Sequence, residues 1–133
     1  MQAYSMIMAD DDDEDRAMIR EALSAIGSDE EVLYVENGAE VLPALDGLGA
    51  LPCLIVLDLN MPLMNGSQVL RALKSHPRFE KIPVVIYTTS ANHLEQEACL
   101  SLGADQYLVK PLTFTECLEV ARTFVAYCGA DKC

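Results

Sequence analysis

Three acidic residues each follow a short apolar run that is typical of a buried strand. Asp58 ends the run Leu54–Leu57, and Asp10 and Asp11 follow a run at residues 4–9. Parallel strands bring their carboxyl ends to one edge of a sheet, so these carboxylates are expected to meet. Neighbouring carboxylates repel one another by on the order of a few kcal/mol per pair, and a divalent cation removes that cost. The pattern predicts an Mg²⁺ site, because Mg²⁺ prefers one or two carboxylates and shares phosphate oxygens.

Two further polar residues end later strands. Thr88 follows an apolar run at residues 82–87, and Lys110 follows one at residues 105–109. An ammonium can neutralise one oxygen of a phosphoryl group, and a hydroxyl can donate a hydrogen bond to another. A carboxylate held against a divalent cation can attack phosphorus and form an acyl phosphate. The set predicts phosphoryl transfer to Asp58, with the backbone carbonyl of Asn60 as a further metal ligand.

Each of these residues also has an ordinary structural interpretation. The acidic run at residues 10–15 can be the solvated start of a helix, where the helix dipole favours acids. Thr88 can simply end a strand, and a lysine before proline is usually a surface residue. Asp58 is harder to explain in this way, because an unpaired carboxylate after so apolar a strand is unfavourable. The occurrence of all these residues at successive strand ends favours a shared site.

The elements that must position these residues alternate along the chain. Apolar runs predict five strands, at residues 4–9, 31–35, 52–58, 82–87 and 105–109, with a helical pattern after each. Asn37 is expected to cap the second helix, and Pro43 to kink or shorten it. This alternation predicts a doubly wound α/β fold with a parallel sheet. We expect a single domain over residues 1–133, with a core at about 4–128. The periodicity of the apolar residues does not define the order of the strands.

The charge of the chain excludes several classes of partner. The formal net charge of −12 would repel nucleic acids and anionic membranes. No apolar run approaches the roughly 20 residues of a membrane span, and no signal-type segment begins the chain. We therefore expect a cytoplasmic protein that binds neither nucleic acid nor membrane.

The five cysteines do not form a recognisable framework. Their number is odd, and no two have the C-x-x-C spacing of a zinc or redox site. We expect small buried hydrophobic residues in a reducing compartment rather than disulfides or metal ligands.

Five short motifs together carry a resemblance to a known family. They are A-D-D at residues 9–11, L-D-L-N-M-P at 57–62 with Gly66 after it, Y-T-T-S at 87–90, G-A-D-Q-Y at 103–107 and K-P at 110–111. In this order and at these spacings they resemble the receiver domain of two-component response regulators. The resemblance covers residues 4–128 and implies a flavodoxin-like (CheY-like) sheet with strand order 2-1-3-4-5.

The resemblance also implies roles for individual residues. Asp58 matches the phosphoacceptor, and Asp10, Asp11 and the Asn60 carbonyl match the ligands that hold Mg²⁺ with it. Lys110 matches the lysine that contacts the phosphoryl group. Thr88 and Tyr107 match the hydroxyl and the aromatic residue that move on phosphorylation. Thr88 and the adjacent Thr89 point to opposite faces by strand alternation, and the resemblance implies Thr88, whose distance from Lys110 agrees with the family pattern.

The function that follows is a phosphorylation switch or a phosphate relay. A sensor histidine kinase or a phosphotransfer protein would donate to Asp58, and a downstream target protein would read the change. The chain would catalyse only its own phosphorylation and dephosphorylation, and the last two helices allow a homodimer. Three alternatives stay open: an aspartyl phosphatase of the haloacid-dehalogenase type, a scaffold that is not phosphorylated, and a flavin binder. The phosphatase needs a second acid where this chain has Asn60, and the flavin binder needs a phosphate loop where this chain has carboxylates.

Overall fold

One parallel sheet forms the centre of the computed structural model, which describes residues 4–129. Its strands are β1 Met6–Ala9, β2 Val32–Val35, β3 Leu54–Leu57, β4 Val84–Thr88 and β5 Gln106–Val109. They lie in the order β2-β1-β3-β4-β5, and every neighbouring pair is parallel. This confirms the doubly wound fold and the strand order that the resemblance implied. The chain changes direction across the sheet between β1 and β3, which is where such sheets open a crevice.

Five helices connect and cover the strands. They are α1 Asp13–Ala25, α2 Val41–Asp46, α3 Gly66–Lys74, α4 His93–Leu102 and α5 Phe114–Gly129. Several of these helices begin at a residue whose side chain accepts hydrogen bonds from backbone N–H groups. The capping box of Asn65 and Gln68 at α3 is one example. None of these helices is both long and apolar enough to span a bilayer.

The second helix differs from the sequence expectation at its start. Asn37 caps a short 3-10 turn, Gly38–Glu40, and α2 follows that turn directly. The predicted cap is therefore real, but it serves the turn rather than the α-helix. Pro43 lies within the first turn of α2, where a missing N–H is tolerated, and the helix is only 6 residues long.

Two apolar cores lie on opposite faces of the sheet. Successive residues of β3 point to opposite faces, so Ile55 and Leu57 pack with α2, α3 and α4. Leu54 and Val56 pack with α1 and α5 on the other face. Burial on both faces explains why the β3 sequence is continuously apolar and shows no polar alternation.

Two cysteines correct the expectation of unpaired thiols. Cys53, just before β3, and Cys128, in the last turn of α5, form a disulfide with a Cα–Cα distance of 5.2 Å. The start of a strand and the end of a helix lie at the same edge of an α/β sheet, which brings together residues 75 apart in sequence. Cys99 and Cys117 are buried and free, as predicted. Cys133 lies outside the described residues.

Candidate functional site

The pairing of β1 with β3 brings the predicted carboxylates together. Ala9 lies opposite Leu57 in the ladder, and the Asp58 N–H donates to the Ala9 carbonyl at 3.0 Å. Asp10 and Asp58 are buried, whereas Asp11 is exposed. One carboxylate oxygen from each of these three residues lies within 4.8 Å of the other two. The structure therefore assembles the acidic cluster that the strand ends predicted.

Lys110 enters this cluster from β5. Its backbone N–H donates to the Thr88 carbonyl at 2.7 Å, which fixes its position beside the end of β4. Its Nζ atom lies 2.8 Å from Asp10 Oδ2 and 2.8 Å from Asp58 Oδ2. A third carboxylate, Asp15 Oδ2, lies 2.7 Å away. The ammonium thus donates hydrogen bonds to the carboxylates of Asp15 and Asp58, and it lies at ion-pair distance from that of Asp10.

Burial has the largest effect on the pKa values of the two charged groups at the centre of the site, Asp10 and Lys110. Burial raises the pKa of Asp10 to about 6, although the Lys110 ammonium and the Asp12 N–H both lower it. Burial would lower the pKa of Lys110, but its contacts with the carboxylates of Asp10, Asp15 and Asp58 together raise it above its ordinary value. Lys110 therefore stays charged at any physiological pH, while burial makes Asp10 easier to protonate than an ordinary carboxyl group.

The donor set fits a hard divalent cation. Asp10 Oδ2 is fully buried and has no aligned hydrogen-bond donor among residues 4–129, although the Lys110 ammonium is at ion-pair distance. Such an atom is unfavourable unless a further positive charge satisfies it. The Asn60 N–H donates to Asp58 Oδ1 at 3.2 Å, which holds the Asn60 backbone next to the cluster. Oxygen ligands of this kind are those that Mg²⁺ prefers.

Thr88 and Tyr107 are linked through one residue, Ser90. Thr88 is completely buried and its hydroxyl accepts the Ser90 N–H at 3.4 Å, whereas Thr89 is exposed. The Tyr107 hydroxyl donates to the Ser90 carbonyl at 2.8 Å, and burial raises the pKa of this phenol. The two predicted switch residues therefore contact the two sides of the same short segment after β4.

Sequence reasoning missed the roles of two residues that build the site. Asp15 contacts Lys110 directly, and Arg16 donates to the Asp10 carbonyl from the next position of α1. The acidic run at residues 10–15 marks this region in the sequence. Only the rotation of α1 about its axis shows which of these acids faces Lys110. Gly66 was noted for its spacing alone. A Cβ atom there would lie 2.3 Å from the Asp58 carbonyl oxygen, so α3 can begin this close to Asp58 only at a glycine.

Comparison with known proteins agrees with this geometry. The family described as the response regulator receiver domain matches residues 6–122. This chain is a response regulator receiver domain. The receiver is 35% identical over 108 residues to the chemotaxis protein CheY1 of Helicobacter pylori, which covers 81% of this chain and 86% of that protein.

Solved structures give the same result at the level of the fold. The crystal structure of the phosphorylated cyanobacterial phytochrome response regulator RcpA superposes with a TM-score of 0.82 and 30% identity, covering 94% of each chain. The Mn²⁺-bound form of response regulator Rcp1 superposes with a TM-score of 0.80 and 28% identity, covering 91% of each. The receiver is thus a CheY-like signalling domain whose acidic cluster can accommodate a metal ion.

Proposed function

We propose that this receiver accepts a phosphoryl group on Asp58 from a phosphohistidine of a sensor histidine kinase or a phosphotransfer protein. The observation that carries the proposal is the placement of Asp58. Its carboxylate stands at the tip of a central strand, with Lys110 Nζ 2.8 Å away and two further carboxylates beside it. Relatives of the same fold include a phosphorylated response regulator, which supports this assignment.

Asp10, Asp11, Asp58 and the Asn60 carbonyl would hold Mg²⁺. When bound, the metal neutralises the clustered carboxylates and the oxygens of the incoming phosphoryl group. The unsatisfied Asp10 Oδ2 supports this ligand set, as does the Mn²⁺-bound form of the related Rcp1.

Side chains of the protein carry out the phosphoryl transfer itself. A carboxylate oxygen of Asp58 forms the bond to phosphorus while the bond from phosphorus to the donor imidazole nitrogen breaks, and that nitrogen keeps the electron pair. Lys110 supplies positive charge to an equatorial phosphoryl oxygen, and the Thr88 hydroxyl donates to another. Fixed donors of this kind supply most of the rate in phosphoryl transfer, because charge spreads over the three equatorial oxygens.

The switch would pass from Thr88 to Tyr107 through Ser90. A hydroxyl drawn towards the phosphoryl group moves Thr88, and the Ser90 segment that it contacts also carries the acceptor for the Tyr107 hydroxyl. This would change the surface formed by α4, β5 and α5, which a downstream target protein reads. Beryllofluoride, as a phosphoryl mimic, should shift the NMR resonances of Thr88, Ser90 and Tyr107. Unchanged resonances there would rule out the switch and leave only a phosphate carrier.

Intact mass measurement after incubation with acetyl phosphate and Mg²⁺ tests the phosphoacceptor. The native protein should gain the mass of one phosphoryl group, and the Asp58→Asn variant should gain none. The native protein should also fail to turn over p-nitrophenyl phosphate steadily, because the phosphatase alternative lacks its second acid at Asn60. Absence of label on the native protein would favour the scaffold alternative instead.

Four expectations from the sequence accompany this proposal as predictions. They are a single receiver domain over residues 1–133, a cytoplasmic location, a downstream protein target and a homodimer through the last two helices. The exchange with a phosphohistidine donor needs the receiver and the kinase in one compartment, which the cytoplasmic prediction satisfies.

A further inference from the structure

Lys110 has a partner that lies outside the proposed metal site. Two of its three carboxylate contacts, Asp10 and Asp58, belong to the set that would hold Mg²⁺. The third, Asp15 Oδ2, lies in the first turn of α1 at 2.7 Å from Nζ. Asp15 is not among the carboxylates whose oxygens converge on the metal position. Its contact with Lys110 therefore does not compete with a bound cation.

A bound cation changes what Lys110 can contact. The Lys110 ammonium and a divalent cation are both positively charged, and they would share the carboxylates of Asp10 and Asp58. The attraction of those carboxylates for Lys110 therefore weakens when the cation is present. Asp15 is not shared with the cation in that state. The contact with Asp15 is the one that still restrains Lys110 when the site is ready to react.

We propose that Asp15 is a positioning residue that holds the Lys110 ammonium against the phosphoryl group while Asp10 and Asp58 are engaged with the cation. The inference rests on the proposed function, because it concerns the same transfer to Asp58. Asp15 touches neither the phosphoryl group nor the metal in this scheme, and acts only through Lys110.

The start of α1 holds Asp15 firmly enough for this task. The Asp12 N–H donates to Asp10 Oδ1 at 3.0 Å, and the Asp12 side chain in turn accepts the N–H groups of Glu14 and Asp15. Arg16 donates to the Asp10 carbonyl from the same turn. The backbone of Asp15 is thus tied to the end of β1, which also carries the metal-binding carboxylates. A side chain anchored in this way positions its partner better than one on a mobile loop.

A simpler role for Asp15 is that of one more negative charge near the site. Substitutions separate the two roles. Asp15→Asn removes the charge and keeps an oxygen that can accept from Lys110, whereas Asp15→Ala removes both. Asp13→Ala is the matched control, because Asp13 is an exposed acid in the same first turn and is not one of the three partners of Lys110.

The rate of phosphorylation by acetyl phosphate, measured across a range of Mg²⁺ concentrations, gives two parameters for each variant. At saturating Mg²⁺ we expect the rate to fall about tenfold in Asp15→Ala, as for the loss of one charge-assisted hydrogen bond. Asp15→Asn should lose about threefold or less, and Asp13→Ala should stay within about twofold. Both Asp15 variants should raise the half-saturating Mg²⁺ concentration alike, because both remove one charge. Equal rates for Asp15→Ala and Asp13→Ala, or for the two Asp15 variants, would overturn the positioning role.

A second measurement needs no phosphorylation. In the native protein with Mg²⁺ alone, the Lys110 side-chain ammonium should give a ¹⁵N NMR signal separate from those of solvent-exposed lysines, because it is held and shielded from exchange. Asp15→Ala should move that signal towards the others, and Asp13→Ala should leave it in place. An unchanged signal in Asp15→Ala overturns the inference. Failure of acetyl phosphate to label the native protein would instead overturn the proposed function, and the ammonium signal would still decide the role of Asp15.

Discussion

Acidification should stabilise the metal-free receiver, and Asp10 should be the main cause. Its side chain is only 1% exposed, and burial raises its pKa from 3.8 to about 6. The folded state therefore binds the proton more tightly than the unfolded state, so the free energy of unfolding falls as the pH rises between about 4 and 6. A difference of about two pKa units corresponds to about 3 kcal/mol of the free energy of unfolding. The metal-free protein has this contribution at low pH and has lost it above pH 7.

Urea unfolding in EDTA at pH 7.5 and pH 5 measures this effect. About half of the 3 kcal/mol should be recovered at pH 5, because that pH lies one unit below the pKa of folded Asp10. The Asp10→Asn variant has no carboxyl group to titrate at this position and is the control. Every other side chain is the same in the two proteins, so the difference between their pH dependences reports on Asp10.

Two results would refute this reasoning. The first is the same pH dependence in the native protein and in Asp10→Asn, which would mean that Asp10 is not the buried carboxyl group that titrates. The second is a pH dependence that survives saturating Mg²⁺. A cation bound to the ionised carboxylate removes the penalty of its burial, so the native protein with Mg²⁺ should show little change between pH 5 and pH 7.5.

Three other predictions follow from single features of the fold. Leu63 has a φ of 69° and is 80% exposed, so Leu63→Asn, which tolerates this backbone, should raise the free energy of unfolding by up to about 1 kcal/mol in urea titrations. An unchanged or lower value would argue against a left-handed backbone there. Reduction of the Cys53–Cys128 disulfide should lower stability by about 4 kcal/mol, as expected for a closed loop of 75 residues, with a Cys53→Ser variant as the reduced reference. Gly66→Ala should destabilise the fold and slow labelling of Asp58, because its Cβ would meet the Asp58 carbonyl; normal labelling at normal stability would contradict that contact.

The sequence predicted the fold and the convergence of the site because both depend on strand ends. Apolar runs mark the strands, and a parallel sheet places whatever follows each run at one edge. Asp10, Asp58 and Lys110 meet for this reason alone. The choice of Thr88 over Thr89 rested on the spacing that the resemblance implies, and the structure buries the first and exposes the second.

Features that depend on packing between distant elements could not be predicted in this way. The contact of Asp15 with Lys110 requires the rotation of α1 and the reach of two side chains that are 95 residues apart. The Cys53–Cys128 disulfide requires the end of α5 to lie over the start of β3. Leu63 adopts a left-handed backbone although leucine is not a residue type that signals one. In each case the local sequence is compatible with several arrangements, and tertiary contacts select one.

The hydrogen bond from the Lys110 N–H to the Thr88 carbonyl bears on how this domain can change over evolution. It is a rung of the ladder between β4 and β5, so the spacing of these two residues in the site is independent of the length of chain that joins them. Residues can be gained or lost in the loops around α4 without separating them. One residue gained or lost inside β5 would turn the lysine to the opposite face of the sheet. Length variation among descendants of this chain should therefore accumulate between residues 91 and 104 and be excluded from 106–110.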